Sequence, residues 1–376
     1  MSIAVIIPMY NGEKYIAETL ESVLAQKQKP DEIVVVDDGS SDSSRDIVRN
    51  FPDVLLLKNS GKGSNAARNF GVEHTSSEYL AFIDQDDLWH PEHLALLSNA
   101  LEHSQDALAA FSKISHFTDG SSPEYALNDG KVNRYNPWDD FPNNYIGEPL
   151  CSLLRRDPIK DVGLWSSQFE GVAEYYLWLR LAALGPLVVS ESKTAGHRVH
   201  ESSYGHKLRN NDKLIHYLDI RYQACEEAIT HLPDHTNRRL FQEKNRVQAI
   251  QKKFIESYIQ DDPATVAGLM KDFAMVVKND SAKNVWNSWA RLGWFMSRFL
   301  EKQDPGHRGF NLFCLETLKL LQYIPRNEAR VKKILRRGAM GELTGVASKN
   351  LIFEKPLEKE RWQLLGGAIL RKFGLL

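Results

Sequence analysis

Cysteine is scarce in this chain. Cys151, Cys225 and Cys314 are the only three in 376 residues. They are odd in number and far apart, which excludes a disulfide framework and zinc-type spacings and fits a reducing compartment. Long apolar runs are also missing. No stretch of about 18 apolar residues occurs, so no membrane-spanning helix is expected. Met1–Pro8 runs straight into a strand-like segment, with no basic stretch, long apolar core or cleavage site, so no signal peptide is expected and a cytoplasmic location is predicted. Two glycine signatures are absent as well. The turn Pro8-Met9-Tyr10-Asn11-Gly12 lacks the Gly-x-Gly-x-x-Gly spacing that lets backbone approach a pyrophosphate, which excludes a nicotinamide dinucleotide. Gly61-Lys62-Gly63 lacks the spacing of an NTPase phosphate loop. A sugar-phosphate nucleotidyltransferase would carry a Gly-rich, Arg/Lys-bearing loop after strand one, and that loop is missing too. No internal repeat or low-complexity tract occurs.

What remains is an ordinary globular composition, 42% hydrophobic and 26% charged, with ample material for a core. The net charge of −2 gives no reason to expect a nucleic-acid partner. Its distribution is uneven. Residues 1–200 hold 17 Lys+Arg against 29 Asp+Glu, and residues 201–376 hold 30 against 20. The two halves are therefore expected to face different partners. The length exceeds a single core, which predicts one large domain and a second region.

Four continuous apolar runs punctuate the first 85 residues: Ile3–Pro8, Glu32–Asp37, Val54–Lys58 and Tyr79–Asp84. Continuous rather than alternating runs suit strands buried on both faces of a parallel sheet. Helical stretches lie between them, with Ile16, Leu20, Val23 and Leu24 at helical spacing, then Ser41–Asn50 and Ser64–His74. A further helix is expected from Pro91. Strand–helix alternation predicts a doubly wound α/β unit. Leu108–Ile114 and Pro186–Val189 read as later strands, 119–149 as a long functional loop, and Tyr175–Leu184 as an amphipathic helix. Beyond about residue 205 the pattern is mainly helical.

The chemistry collects at the strand ends. Asp37-Asp38-Gly39-Ser40 follows the second run, and Asp84-Gln85-Asp86-Asp87 follows the fourth. In open parallel sheets ligands bind outside the carboxyl ends of the strands, so both clusters point into one crevice. A lone strand-end Asp is usually a turn or cap residue, the role expected of Ser41 and Asp42. Two clusters on one crevice repel, and a hard divalent cation shared with substrate phosphates offsets that repulsion.

At these residues the chain resembles the large inverting glycosyltransferase family 2, with the GT-A fold. The resemblance runs through Val5–Asn11, Val34–Asp42, Gly63–Gly71 with Ala66-Ala67-Arg68-Asn69, and Phe82–Pro91. It covers about the first 100 residues well and thins toward residue 205. It implies that Pro8 and Tyr10 hold the nucleotide base. Asp38 would hydrogen-bond that base, with Asp37 beside it. Asp84 and Gln85 would lie in the nucleotide site, Asp84 on the ribose or a metal-bound water. Asp86 would bind Mn²⁺ or Mg²⁺, and Asp87 would cap the following turn. Arg68 is expected either on the diphosphate or in a buried salt bridge with the aspartates.

The family's catalytic base sits in an acidic pair ahead of a Leu-Trp-x-Arg run. Here that stretch is Gly171–Arg180, and Ala173 replaces the first acid, leaving Glu174 as the expected base and Glu170 as the fallback. His197–Ser203 resembles the family's Arg-x-His segment, which places His200 on the diphosphate or the metal. The resemblance implies an inverting transfer of sugar from a nucleoside-diphosphate donor, UDP by default, to a saccharide or lipid-linked acceptor in polysaccharide or glycolipid assembly. Ala173 keeps a catalytically silent sugar-nucleotide-binding scaffold open as the alternative.

The expected division is a catalytic domain over 1–205 and a helical region over 206–376, a candidate for acceptor binding, oligomer contact or membrane-surface contact. Trp286, Trp289, Trp294 and Phe295 read as core. Residues 326–376 hold 12 Lys+Arg against five Asp+Glu. Trp362, Leu365, Ile369, Leu370 and Phe373 recur there near helical spacing. The tail is thus a docked terminal helix, an oligomer contact, or a peripheral contact with the inner face of the plasma membrane.

Overall fold

The computed structural model describes residues 1–128, 131–139, 147–200, 211–233, 238–259, 262–277, 289–290, 317, 320–324 and 328–343. Trp286, Trp294, Phe295 and the tail residues Trp362, Leu365, Ile369, Leu370 and Phe373 lie outside them. The chain divides into two compact units, Met1–Lys207 with Gln223–Arg238, and Leu208–Tyr222 with Arg239–Leu376. Gln223–Arg238 falls in the first unit, where Tyr176 donates to Glu227 Oε1 at 2.8 Å.

The first unit is built on one sheet of nine strands among the described residues. These are β1 (Ile3–Met9), β2 (Glu32–Asp37), β3 (Leu55–Lys58), β4 (Tyr79–Phe82), β5 (Leu88–Trp89), β6 (Ala109–Phe117), β7 (Val132–Tyr135), β8 (Ser152–Arg155) and β9 (Leu187–Arg198). Their order is β3-β2-β1-β4-β8-β6-β9-β5, with β7 paired to β9. The β3-β2-β1-β4 half is parallel, as is β6 with β9, whereas β8, β5 and β7 pair antiparallel. β1 is buried at every position, as its unbroken apolar run requires of a strand covered on both faces. Pro8 is tolerated there because pairing with β4 ends at Ile6–Phe82, so Pro8 pairs only with Val36. A missing N–H is acceptable where the ladder has ended on one side.

Helices α1 (Ile16–Leu24), α2 (Ser44–Arg49), α3 (Ser64–Glu73) and α4 (His93–His103) separate the early strands. In α1, Ile16, Leu20 and Val23 face the core, as their spacing requires. α3 lies close on the sheet. A Cβ at Gly71 would meet Ile6 Cγ2 at 2.5 Å and Val36 Cγ2 at 3.4 Å, so glycine sets how near the helix sits.

Several sequence expectations need correction. The helix near 175 is α6 (Ala173–Leu184), following the short α5 (Arg156–Asp161). It is not amphipathic: Tyr175 through Leu181 are all buried. The 119–149 loop contains β7, laid on β9. β8 has only four residues, too few to show a pattern. β9 is twelve residues long rather than four. Its buried Ser190, Ser192 and Thr194 hide it from a search for apolar runs. Two of those hydroxyls meet partners from distant segments: Ser192 Oγ accepts Asn128 N–H at 3.0 Å, and Thr194 Oγ1 lies 2.8 Å from His93 Nδ1.

The described part of the second unit is helical. It includes α8 (Arg238–Ile259), α9 (Pro263–Val276) and α10 (Ala329–Leu343), while α7 (Asn211–Thr230) spans the two units. Its core gathers Leu218, Phe254, Met270, Phe273, Trp289 and Leu335. Trp289 is buried among these, its indole N–H donating to Thr317 Oγ1 at 2.8 Å. No helix of the described residues is long and apolar enough to cross a membrane.

Candidate active site

Strand order places the switch point of the sheet between β1 and β4, because β2 and β3 lie to one side of β1 and the later strands to the other. A crevice opens at such a point beyond the carboxyl ends of the strands, and the expected site residues collect there. Gln85 ties its two walls together. Its Oε1 accepts Tyr10 N–H at 2.8 Å, and its Nε2 donates to Tyr10 O at 3.0 Å. The amide thus reads the β1 end as a neighbouring strand would. A Cβ at Gly12 would strike Gln85 Oε1 at 2.4 Å, which explains the glycine. Tyr10 itself is 57% exposed.

The two aspartates after β2 differ. Asp37 is buried, its Oδ1 accepts Ser40 N–H at 3.0 Å, and Arg45 Nε is 3.8 Å from its Oδ2. That geometry commits it to the turn. Asp38 is half-buried, accepting Asn59 Nδ2–H at 2.7 Å and Gly63 N–H at 2.8 Å. Each of its oxygens keeps lone-pair capacity. Asp42 accepts backbone N–H groups of Glu13 and Ser44, the turn role expected of it.

After β4, Asp84 pairs with Arg68 Nη2 of α3. Arg68 is buried, and its Nε has no protein partner. The salt bridge expected as one of two options therefore forms. Asp86 Oδ2 lies 2.7 Å from His200 Nε2. Burial, then the neighbouring charge of Asp84, raise the Asp86 carboxyl above the ordinary carboxylate range, and His200 opposes them. His200 in turn lies against Tyr15, with ring centroids 5.3 Å apart.

Asp87 does not cap the following turn. It is buried, and its Oδ1 accepts Arg198 N–H at 2.9 Å, joining this loop to the end of β9. Burial raises its carboxyl well above the usual range. Arg198 completes the joint. Its Nε donates to Asp86 O at 2.9 Å, and its guanidinium pairs with Glu18 at 2.6 Å and Asp119 at 3.3 Å. The guanidinium also packs on the Tyr15 and Phe117 rings, each at 4.6 Å. This clamp holds His200 opposite Asp86.

Glu174 sits in the first turn of α6, half-buried. Burial raises its carboxyl, the charges of Glu148 and Asp84 raise it further, and Arg68 works the other way. Glu170, the fallback, is exposed. Sequence reasoning missed Glu148, His197, Arg198 and Asp119 as site residues. Glu148 Oε2 lies 2.6 Å from His197 Nδ1. Burial alone would lower the His197 imidazole, but Glu148 and then Asp87 and Asp84 push it up to about 9.

Residues 4–163 match the family described as Glycosyl transferase family 2. This segment is a family 2 glycosyltransferase domain. It includes every strand-end residue of the crevice, while Glu174 and His200 lie beyond it. The chain is 29% identical over 247 residues to an uncharacterized glycosyltransferase of Rickettsia conorii, covering 60% of this chain and 39% of that protein. It is 34% identical over 115 residues to the putative teichuronic acid biosynthesis glycosyltransferase TuaG of Bacillus subtilis, covering 29% and 44%. The chain thus spans less than two thirds of the length of these curated relatives. Among solved structures it resembles S. aureus TarS 1-349 in complex with UDP, with TM-score 0.53, 15% identity and 92% of each chain covered. That likeness shows a shared fold, the GT-A architecture expected of the family 2 domain.

Proposed function

We propose that the chain is an inverting glycosyltransferase that takes a sugar from a nucleoside-diphosphate donor, UDP by default, and passes it to a hydroxyl of a saccharide or lipid-linked acceptor. The observation that carries this reading is the facing pair Asp86–His200 at 2.7 Å. Asp86 lies on the same loop as Asp84, whose charge acts on both Asp86 and Glu174. The UDP complex of the structural neighbour and the names of the curated relatives support the choice of donor class.

In this reading the exposed Tyr10 stacks its ring on the base beside the backbone at Pro8, and Asp38 accepts a base N–H with its remaining lone pairs. Arg68 counters the diphosphate charge while steadying Asp84. The Asp86 carboxylate fits Mn²⁺ or Mg²⁺ by donor chemistry, and the His200 imidazole beside it would favour Mn²⁺ as the softer of the two. Among the described residues no group of three or more His, Cys, Asp or Glu could hold a metal ion, so the remaining ligands would be donor phosphates and water. When bound, such a cation supplies charge neutralisation for the departing diphosphate.

Glu174 removes the proton from the acceptor hydroxyl. The oxygen attacks the anomeric carbon opposite the diphosphate, the carbon–oxygen bond to that diphosphate breaks, and the configuration inverts. Burial keeps the Glu174 carboxyl proton-hungry, which suits a general base. The test is release of UDP from a panel of UDP-sugars with Mn²⁺ present. Wild type should release UDP and Asp86→Ala should not. Full metal-stimulated release by Asp86→Ala, or none from any donor by wild type, contradicts the proposal, and the second result favours a silent binding protein.

A further inference from the structure

Helix α1 carries two stripes at helical spacing. Ile16, Leu20 and Val23 face the core. Tyr15 at the helix start, then Glu18, Thr19 and Ser22, fall three and four residues apart and share a second face. A polar stripe on a helix is ordinarily the solvated one, but Thr19 is fully buried. A buried hydroxyl needs a partner, and the partners of Thr19 belong to the loop after β4. Its Oγ1 lies 2.8 Å from Gln85 O and 2.9 Å from Asp87 O, so it holds the carbonyls on either side of Asp86. The carbonyl of Asp86 itself accepts Arg198 Nε–H at 2.9 Å. One turn further along α1, Ser22 Oγ accepts Trp89 N–H at 3.3 Å.

The successive carbonyls of Gln85, Asp86 and Asp87 are thereby fixed, and both groups that fix them lead to α1. Thr19 is part of the helix. Arg198 is seated on it by the 2.6 Å pair with Glu18 and by its guanidinium, 4.6 Å over the Tyr15 ring. The same ring meets His200, with centroids 5.3 Å apart. It is steadied through its hydroxyl, which donates to Asp119 Oδ2 at 3.0 Å. Lys14 Nζ reaches that oxygen at 2.5 Å, and Asp119 Oδ1 lies 3.3 Å from Arg198 Nη1. Asp86 and His200 are 114 residues apart in the chain. Thr19 holds the loop of the first, Tyr15 packs on the second, and the two stand one helical turn apart.

We propose that the Tyr15–Glu18–Thr19 face of α1 sets the spacing of Asp86 and His200 and thereby the affinity of the site for a divalent cation. The three are positioning residues that act through Asp86, Arg198 and His200. Ligands already in place spare a cation the cost of ordering them, and groups that orient ligands contribute about 10- to 100-fold in metal affinity. The proposal rests on Asp86 being a metal ligand.

The experiment titrates Mn²⁺ into the full chain with UDP present and follows the electron paramagnetic resonance signal of free Mn²⁺. Thr19→Val keeps the shape of the side chain and removes the hydroxyl, and Tyr15→Leu removes the ring. Each should weaken Mn²⁺ binding about 10- to 100-fold. Thr19→Ser keeps the hydroxyl and should bind as wild type. The loss caused by Tyr15→Leu should largely vanish in a His200→Ala background, because it runs through that imidazole. Tyr15 is half-buried, so its variant carries the test if Thr19→Val does not fold. Wild-type Mn²⁺ affinity in the folded α1 variants overturns the proposal, and so does an undiminished Tyr15→Leu loss in the His200→Ala background. If Asp86→Ala also keeps wild-type affinity, the metal reading of the site falls with it. If Asp86→Ala loses Mn²⁺ while the α1 variants keep it, the metal reading stands and the role of α1 falls.

Discussion

His200 owes its placement to Arg198, two residues earlier in the same Arg-x-His segment. His200 faces Asp86 because Arg198 binds the backbone of Asp86 and the carboxylate of Asp87 at once. Glu174→Gln should lower turnover by about 10²- to 10⁴-fold, the usual contribution of a general base, and leave UDP binding intact in calorimetry. Equal turnover would remove it as the base. Two histidines make the stability depend on pH in opposite senses. His93 is fully buried against Trp89, and burial lowers it from 6.5 to about 3. It favours the fold above about pH 6.5, and this contribution is lost as pH falls through about 3. His197 is raised to about 9. Its contribution is complete below about pH 6.5 and is lost as pH rises through about 9. Urea midpoints followed from pH 5 to 10 should fall on the alkaline side in wild type and flatten there in His197→Gln. An identical alkaline decline in both proteins would contradict the assignment. The aspartates after β2 and β4 were legible in the sequence because they sit at predictable strand ends. Glu148 was not, because it lies in a turn with no periodicity and meets its partner 49 residues later in the chain.

At the scale of elements, legibility followed burial. β1, β2 and β4 are apolar throughout because both faces are covered, and their positions were clear from sequence. β9 was not, because beyond Val189 it buries hydroxyls that find partners only in the folded protein. By sequence Tyr175–Leu184 reads as amphipathic, with Arg180 among its apolar residues. Arg180, however, is buried and donates to the carbonyls of Val162 and Leu164. The contact of α3 with β1 and β2 gives a sharp test. Gly71→Ala puts a methyl 2.5 Å from Ile6 Cγ2. Overpacking of this kind costs about 1–3 kcal/mol, outweighing the better helix propensity of alanine, which is about 1 kcal/mol. Chemical denaturation should show net destabilisation, and a gain in stability would mean that the helix and sheet are not held so close.

For the whole molecule, the charge division between the halves of the sequence places the acidic excess with the crevice, where a cation is expected to offset it. A ligand that binds only the folded protein raises its stability in proportion to the logarithm of its concentration over its dissociation constant. UDP with Mn²⁺ should therefore raise the melting temperature more than either alone. The central claim is that the strand-end aspartates hold a nucleoside diphosphate through a divalent cation. It is tested most directly by calorimetric titration of UDP into wild type and Asp86→Ala, each with and without Mn²⁺. The account predicts Mn²⁺-dependent UDP binding in wild type, weakened at least about 100-fold, or roughly 2.7 kcal/mol, in Asp86→Ala. UDP binding that is equally tight without Mn²⁺, or unaffected by the loss of Asp86, would contradict it.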